Sequence, residues 1–276
     1  MRTYRYLIVG GGLTADAACK GIRERDGDGT IGVVADEDYP PYARPPLTKA
    51  LWKGDGEDTI WRGTAGLGVD LRLGRTIAAL DLSAQQATDD AGETYAYERL
   101  LLATGGRPRR LRFGGDDVIY FRTLDDYRRL RALTGSGGRF LVVGGGFIGS
   151  EIAAALAMNG WPVTIVFPDS GIGARIFPAD LSAFVTGYYR DKGVEVVAGT
   201  SVTGIERTGQ VIRVSTKDGR TLEADAIVAG LGIEPRTDGH PRGVLLWNVF
   251  GRVDAARDLI RARRPIEAGA LREPVA

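Results

Sequence analysis

The chain has 276 residues, 43% of them hydrophobic, with Lys+Arg 36 against Asp+Glu 35 and a formal net charge of +1. That length suits two domains of ordinary size, each with enough apolar residues for a real core. The even charge leaves no global field for nucleic acid or a membrane surface, no apolar run approaches about 18 residues, and the single cysteine, Cys19, excludes an internal disulfide or a paired redox thiol.

The first strand, 5–10, begins almost at residue 1, which leaves no room for a signal peptide, so a cytoplasmic protein is expected. Residues 6–15 read YLIVGGGLTA. An apolar strand runs into Gly10 and Gly12, and Ala15 fills the third place of G-x-G-x-x-G/A, where only a small side chain is needed. A helix over 13–22 follows. Ala15, Ala18, Cys19 and Ile22 share one of its faces, which puts Cys19 in packed core. The next strand is 31–35. Asp36 stands directly after it, where an acid holds an adenosine ribose hydroxyl. Residues 39–52, YPPYARPPLTKALW, carry Pro-Pro twice. Proline forbids a helix there and stiffens the backbone, so Arg44 and Lys49 would be held at fixed positions in a cleft. Residues 85–97 read as a polar hairpin turning at 90–92. Arg107, Arg109, Arg110 and Arg112 form a basic run, either a solvated loop or a dock for an acidic electron carrier.

A helix over 123–133 opens with a capping box, Thr123 to Asp126. Residues 140–151 read FLVVGGGFIGSE. Strand, glycine loop and an Ala-rich helix over 148–158 follow one another, the context that makes G-x-G-x-x-G informative. Gly144 makes the tight turn, Gly146 admits a pyrophosphate to the backbone, and Gly149 lets helix and strand pack closely. The helix N-terminus offers free N–H groups to the phosphates. The strand 163–167 leads to Asp169, the nearest acid to a second ribose. A carboxylate there accepts from a 2′-hydroxyl and repels a 2′-phosphate, so NADH is expected over NADPH, with Arg175 the nearest following base. A helix over 178–192 ends at Gly193, and 194–198 is a strand. Residues 202–207, 211–216 and 221–224 form a three-stranded meander. His240 is the only histidine, so no Ser-His-Asp triad or HExxH zinc site can be built, and no metal site is expected.

PPYARPPLTKxLW, together with Gly10–Ala15, LLATGG at 101–106, the 140–151 segment, FPDSGIGARIFPADL from 167 and AGLGIEPRT at 229–237, resembles the FAD-dependent ferredoxin reductase and apoptosis-inducing-factor group. That group lies within the two-dinucleotide-binding flavoproteins of the pyridine nucleotide-disulfide oxidoreductase superfamily. The resemblance implies an α/β fold with two Rossmann-like domains of three-layer ββα architecture. The FAD-binding domain would be 1–115, the NAD(P)-binding domain 116–237, and 238–276 a C-terminal remnant. It implies that Gly10, Gly12 and Asp36 bind the adenosine half of FAD, with Ala15 behind them. Arg44 would contact the flavin nucleotide, and Thr104 and Gly105 would close over FAD. Lys49 would sit beside the isoalloxazine and pair with Glu151 as a buried ion pair, the two catalytic residues. Gly144, Gly146 and Gly149 would take NAD(P)H, with Gly230, Gly232 and Pro235 flanking the nicotinamide.

After Thr237 the pattern departs from that group. An Ala-x-Gly-Asp stretch contacting the flavin ribitol is absent, and the chain passes straight to 243–260, which resembles the group's far C-terminal strand and helix. Val244–Trp247 and the face Val253, Ala256, Leu259 and Ile260 are left without their usual partners, which implies pairing with another chain, such as a homodimer, or instability. The function expected is an FAD-dependent NAD(P)H oxidoreductase delivering electrons to a ferredoxin-like acceptor, a quinone or oxygen. The alternative is a nicotinamide-nucleotide-binding module that holds FAD weakly or not at all.

Overall fold

The computed structural model of the chain describes residues 1–236. The strand and helix expected within 243–260, His240 and the 236–243 junction lie outside the described residues. Strand β1 (Arg2–Val9) alternates at its start and ends in three consecutive buried residues, Leu7, Ile8 and Val9. A run buried on both faces belongs in the middle of a parallel sheet. Helix α1 (Leu13–Arg23) follows, and then β2 (Ile31–Val34), β3 (Asp70–Arg72), β4 (Ile77–Asp81), β5 (Gln86–Asp89) and β6 (Thr94–Leu102). They form one six-stranded sheet in the order β3-β2-β1-β6-β5-β4. The strands β1, β2, β3 and β6 run parallel, and β4 and β5 are antiparallel.

The hairpin turn falls where the sequence places it, at Gly92 with φ +81°. Its strands are less polar than expected. Ala87 and Tyr95 are fully buried, and with Tyr4, Leu7 and Tyr97 they make the core on one face of the sheet. On the other face Ala15, Ala18, Cys19 and Ile22 of α1 pack on Ile8, Ile31 and Val33. Ile8, Ile22, Ile31 and Val33 each contribute about 1.5–3 kcal/mol on burial. Burial, reinforced by the nearby Asp16 charge, pushes the Cys19 thiol up to about 12, so it stays an inert thiol.

The second half begins with β7 (Gly106–Pro108), β8 (Val118–Tyr120) and α2 (Leu124–Thr134). The capping box is present: Thr123 N donates to Asp126 Oδ2 at 2.7 Å, and Asp126 N donates to Thr123 Oγ1 at 3.2 Å. Next come β9 (Phe140–Val143), α3 (Phe147–Met158), β10 (Val163–Phe167), α4 (Ala179–Asp191) and β11 (Glu195–Ala198). The meander β12 (Val202–Thr208), β13 (Val211–Thr216), β14 (Thr221–Ala224) precedes β15 (Ala226–Ala229) and β16 (Ile233–Pro235). A five-stranded parallel sheet runs β11-β10-β9-β15-β8, and β16 pairs with β7. Ile212, Val214 and Ala224 of the meander pack on Leu141, Val143, Val166 and Ile227 of that sheet, which gives the expected ββα layering. No helix among the described residues is long and apolar enough to cross a membrane.

Two compact units result among the described residues: Met1–Ala43 with Trp61–Gly105 and Pro235–Arg236, and Arg44–Ile60 with Gly106–Glu234. These units are discontinuous in sequence, whereas the expected FAD- and NAD(P)-binding domains, 1–115 and 116–237, are continuous stretches. Residues 44–60 leave the first unit because their contacts are with α2 and α3. Trp52 packs edge-on against Tyr127, and Asn159 Nδ2 donates to Trp52 O at 3.1 Å. The expectation of no helix in 39–52 is also corrected. Pro45–Thr48 and Ala50–Lys53 are 3₁₀ turns. Proline at the start of a turn loses no bond, since the first N–H groups have no partner there, and its fixed φ suits the tight winding.

Asp16 is 1% exposed, yet it faces three donors, Lys20 Nζ and Arg62 Nε at 3.0 Å and Thr64 Oγ1 at 2.8 Å. Burial raises its pKa, but these donors more than offset that and hold it below the usual carboxylate value. A depressed folded pKa stabilises the fold above the unfolded value of about 3.9 and loses that contribution as pH falls through the folded pKa. Lys20 and Arg62 are each about two-fifths exposed and recover water when the acid is removed. Asp16→Ala is therefore expected to cost about 2–3 kcal/mol at neutral pH. Denaturant titration checks this, and the deficit should shrink below about pH 4.

Candidate functional site

The two glycine loops have one construction. Gly10 and Gly144 take φ of +118° and +117°, which favours glycine. A Cβ at Gly10 would lie 2.2 Å from Ala103 O, and at Gly144 2.5 Å from Gly230 O. Each turn thus presses onto the carbonyl that follows a neighbouring strand, β6 in one unit and β15 in the other. Gly12 and Gly146 are the helix N-caps, in extended backbone, and a Cβ on either would meet nothing within 4 Å. That open space in front of a helix N-terminus is the cradle a pyrophosphate needs. At the third place Ala15 is fully buried. A Cβ at Gly149 would stand 1.9 Å from Gly144 O, so the second loop tolerates only glycine there. Gly230 closes on the same point, its Cβ position 2.6 Å from Gly149 N. Gly232 has φ +85°, and its carbonyl accepts from Arg109 N at 3.0 Å.

In the first unit, Arg236 gathers the other expected residues. Its guanidinium pairs with Asp36, its carbonyl accepts from Thr104 Oγ1 at 3.1 Å, and its N–H donates to Gly105 O at 3.1 Å. Asp36 is thus held by a cation that sequence reasoning did not assign. In the second unit, Arg44 Nη1 donates to Arg122 O at 3.0 Å. Asp169, just past the end of β10, pairs with Arg175 at 2.9 Å, so a six-residue separation in sequence closes to contact.

Lys49 and Glu151 meet as expected, Nζ to Oε2 at 2.6 Å. The expected burial is not found. The side chains are 51% and 29% exposed, because Lys49 sits between two 3₁₀ turns and projects into solvent. An exposed pair contributes about 0–1 kcal/mol, and removing one partner does not leave the uncompensated buried charge that would cost about 3–5 kcal/mol. Thr48 was missed. It is 9% exposed and donates to the same Oε2 at 2.6 Å. Its signal was its place beside Lys49 in PPLTK. In the basic run, Arg107 pairs with Glu234 at 2.6 Å and Arg110 lies 4.8 Å over the Tyr120 ring, so both are engaged within the unit.

Two open cradles of this construction define a protein with a pair of Rossmann-like nucleotide folds. The chain belongs to the pyridine nucleotide-disulphide oxidoreductase family, which it matches over residues 4–256. It is 35% identical to peroxisomal monodehydroascorbate reductase 1 of Arabidopsis thaliana, over 86% of this chain and 60% of that protein. Its fold is similar to that of putidaredoxin reductase in a covalent complex with putidaredoxin, at TM-score 0.79 and 30% identity, over 86% of this chain and 60% of that one. A ferredoxin reductase of Rhodopseudomonas palustris gives TM-score 0.79 at 29% identity, over 87% and 61%. The chain spans about 60% of the length of the curated relatives it matches.

The two glycine positions of the second loop predict opposite responses to one methyl group. Gly144→Ala meets both a positive φ and a backbone carbonyl, and should cost more than about 2 kcal/mol in denaturant titration. Gly146→Ala projects into open space in extended backbone, and should stay within about 1 kcal/mol of the parent.

Proposed function

We propose that the chain acts as an FAD-dependent NAD(P)H oxidoreductase, passing hydride from NADH to the flavin and electrons onward to a ferredoxin-like or other acceptor. The observation that carries this reading is the pair of matched glycine loops, each with an open cradle at a helix N-terminus. Gly10, Gly12, Ala15 and Asp36, with Thr104 and Gly105, would hold the adenosine side of FAD. Arg44 and Lys49 would meet its flavin half. Gly144, Gly146, Gly149, Gly230 and Gly232 would take the nicotinamide nucleotide, with Asp169 at its ribose. When bound, FAD supplies the redox chemistry, accepting a hydride and releasing single electrons. The protein supplies position and charge. Glu151 and Lys49 would set the charge at the reacting edge, and the N-termini of α1 and α3 would bind phosphate. The acceptor follows from the resemblance, and pairing with a second copy of the chain from the apolar strand and face expected within 243–260.

A second reading, a nucleotide-binding module with weak or no FAD, applies to a polypeptide of these 276 residues alone and is favoured by one observation. The ribitol-side Gly-Asp contact is absent from the sequence. Several hydrogen bonds at about 0.5–1.5 kcal/mol each are lost with it. A polypeptide of these 276 residues should therefore show the visible flavin spectrum when purified with added FAD and lose it on dialysis. Stoichiometric flavin that resists dialysis would overturn the expected weakness, and no flavin at saturating FAD would overturn the oxidoreductase reading.

Asp169 accepts from a ribose hydroxyl and repels a 2′-phosphate, while Arg175 on the same carboxylate attracts one. The Arg175 side chain is 73% exposed, so parting the pair costs about 0–1 kcal/mol. NADH preference should accordingly be modest, about tenfold in Kd, or about 1.4 kcal/mol. Arg175→Ala should widen it. Titration with both nucleotides reads this, and tighter NADPH binding by the parent chain would refute it.

A further inference from the structure

Glu151 receives two donors on one oxygen. Thr48 Oγ1 and Lys49 Nζ both lie 2.6 Å from Oε2. The two donors are otherwise unlike. Thr48 is 9% exposed and Lys49 is 51% exposed at its side chain. Threonine is β-branched and stiff at its one heavy-atom torsion, whereas lysine carries an ammonium on a flexible four-carbon stem with several rotatable bonds. The 3₁₀ turn also fixes Thr48 through its backbone, with Leu47 N donating to Arg44 O and Lys49 N to Pro46 O, both at 3.0 Å. Just beyond it, Trp52 Nε1 donates to Leu47 O at 2.8 Å.

The Thr48 hydroxyl has one proton and two acceptors in reach. Pro45 O lies at 3.2 Å and Glu151 Oε2 at 2.6 Å. The shorter bond ends on a carboxylate, and a charge-assisted bond is about twice as strong as a neutral one. The proton therefore goes to Glu151.

We propose that Thr48 is a positioning residue that fixes the Glu151 carboxylate independently of Lys49. Lys49 can then swing away from Glu151, as the nucleotide arrives or leaves, without the carboxylate losing its place. Among the described residues the bonds to Glu151 fall on Oε2, which leaves Oε1 for a third donor. The catalytic meaning rests on the oxidoreductase reading above, and the Thr48–Glu151 bond does not.

The test has two arms on the full chain. In the first, equilibrium unfolding is measured for Thr48→Val, Glu151→Leu and the double variant, beside the same cycle with Lys49→Met. The Thr48–Glu151 coupling should change the unfolding constant about tenfold, and the Lys49–Glu151 coupling about threefold or less. Glu151→Ala replaces the leucine variant if that one folds poorly. Additive effects of Thr48 and Glu151, or a coupling smaller than that of Lys49, would overturn the proposal. In the second arm, reduction of the FAD-loaded chain by NADH is followed by flavin absorbance. Thr48→Val should slow the maximal rate about tenfold with little change in half-saturation. Thr48→Ser should recover most of that loss, and Thr48→Val should add nothing to Glu151→Leu. An unchanged rate in Thr48→Val would overturn the proposal. A chain that takes up no flavin refutes the oxidoreductase reading instead, and the unfolding cycle then decides Thr48 alone.

Discussion

Backbone lies against backbone at the glycine loops, and much else is arranged to permit it. Gly144, Gly149 and Gly230 come together where no Cβ fits: the Gly149 position faces Gly144 O, and the Gly230 position faces Gly149 N. This contact sets how closely α3 lies on β9 and β15, and it aims the helix N-terminus past Gly146. The first unit makes the same approach with Gly10 against Ala103 O. Because Ala15 replaces glycine at the third position there, one methyl group is tolerated at that helix. Backbone dipoles and free N–H groups are the currency of such a site, so side-chain chemistry is needed only at its edges.

At those edges the charges are paired, and mostly half exposed. Asp36 is paired with Arg236, Asp169 with Arg175, and Glu151 with Lys49. Pairs in this setting stabilise little and part at low cost. A carboxylate in this state keeps its position while still being able to change partners. The contrast is Asp16, 1% exposed behind the first loop, two of whose three donors, Arg62 and Thr64, tie α1 to the 62–64 segment. One acid holds structure and the others stand partly exposed, and burial separates the two kinds.

Much of this was legible in the sequence because its signals are local. The glycine loops, the capping box at Thr123, the meander and the Cys19 face each depend on spacing within about a dozen residues, and the structure has them within a residue or two. The misreadings concern what only folding can decide. The resemblance implies a Lys49–Glu151 pair but does not give its exposure, which depends on how two 3₁₀ turns project the lysine. The proline pairs were read as forbidding helix, although proline forbids only the interior of one. Arg236 on Asp36, 200 residues apart, and Thr48 on Glu151, 103 residues apart, carry no periodic signal. That the short stretch 44–60 folds with residues far downstream likewise carries no local signal.

That stretch, 44–60, has a consequence for the order in which the protein is made. Its anchors come late: Tyr127 against Trp52, Arg128 on Glu57, Glu151 on Thr48, and Asn159 on the Trp52 carbonyl. At a synthesis rate of about 5–20 residues per second, the segment bearing Lys49 waits several seconds on the ribosome before residue 159 exists to hold it. The sheet strands β1 and β2 can pair in that interval, with an unanchored insertion emerging between β2 and β3. Non-local contacts of this kind form slowly. The residues proposed for the reaction are thus among the last to acquire their geometry, and an apolar Leu51–Trp52 pair stays unburied for that time.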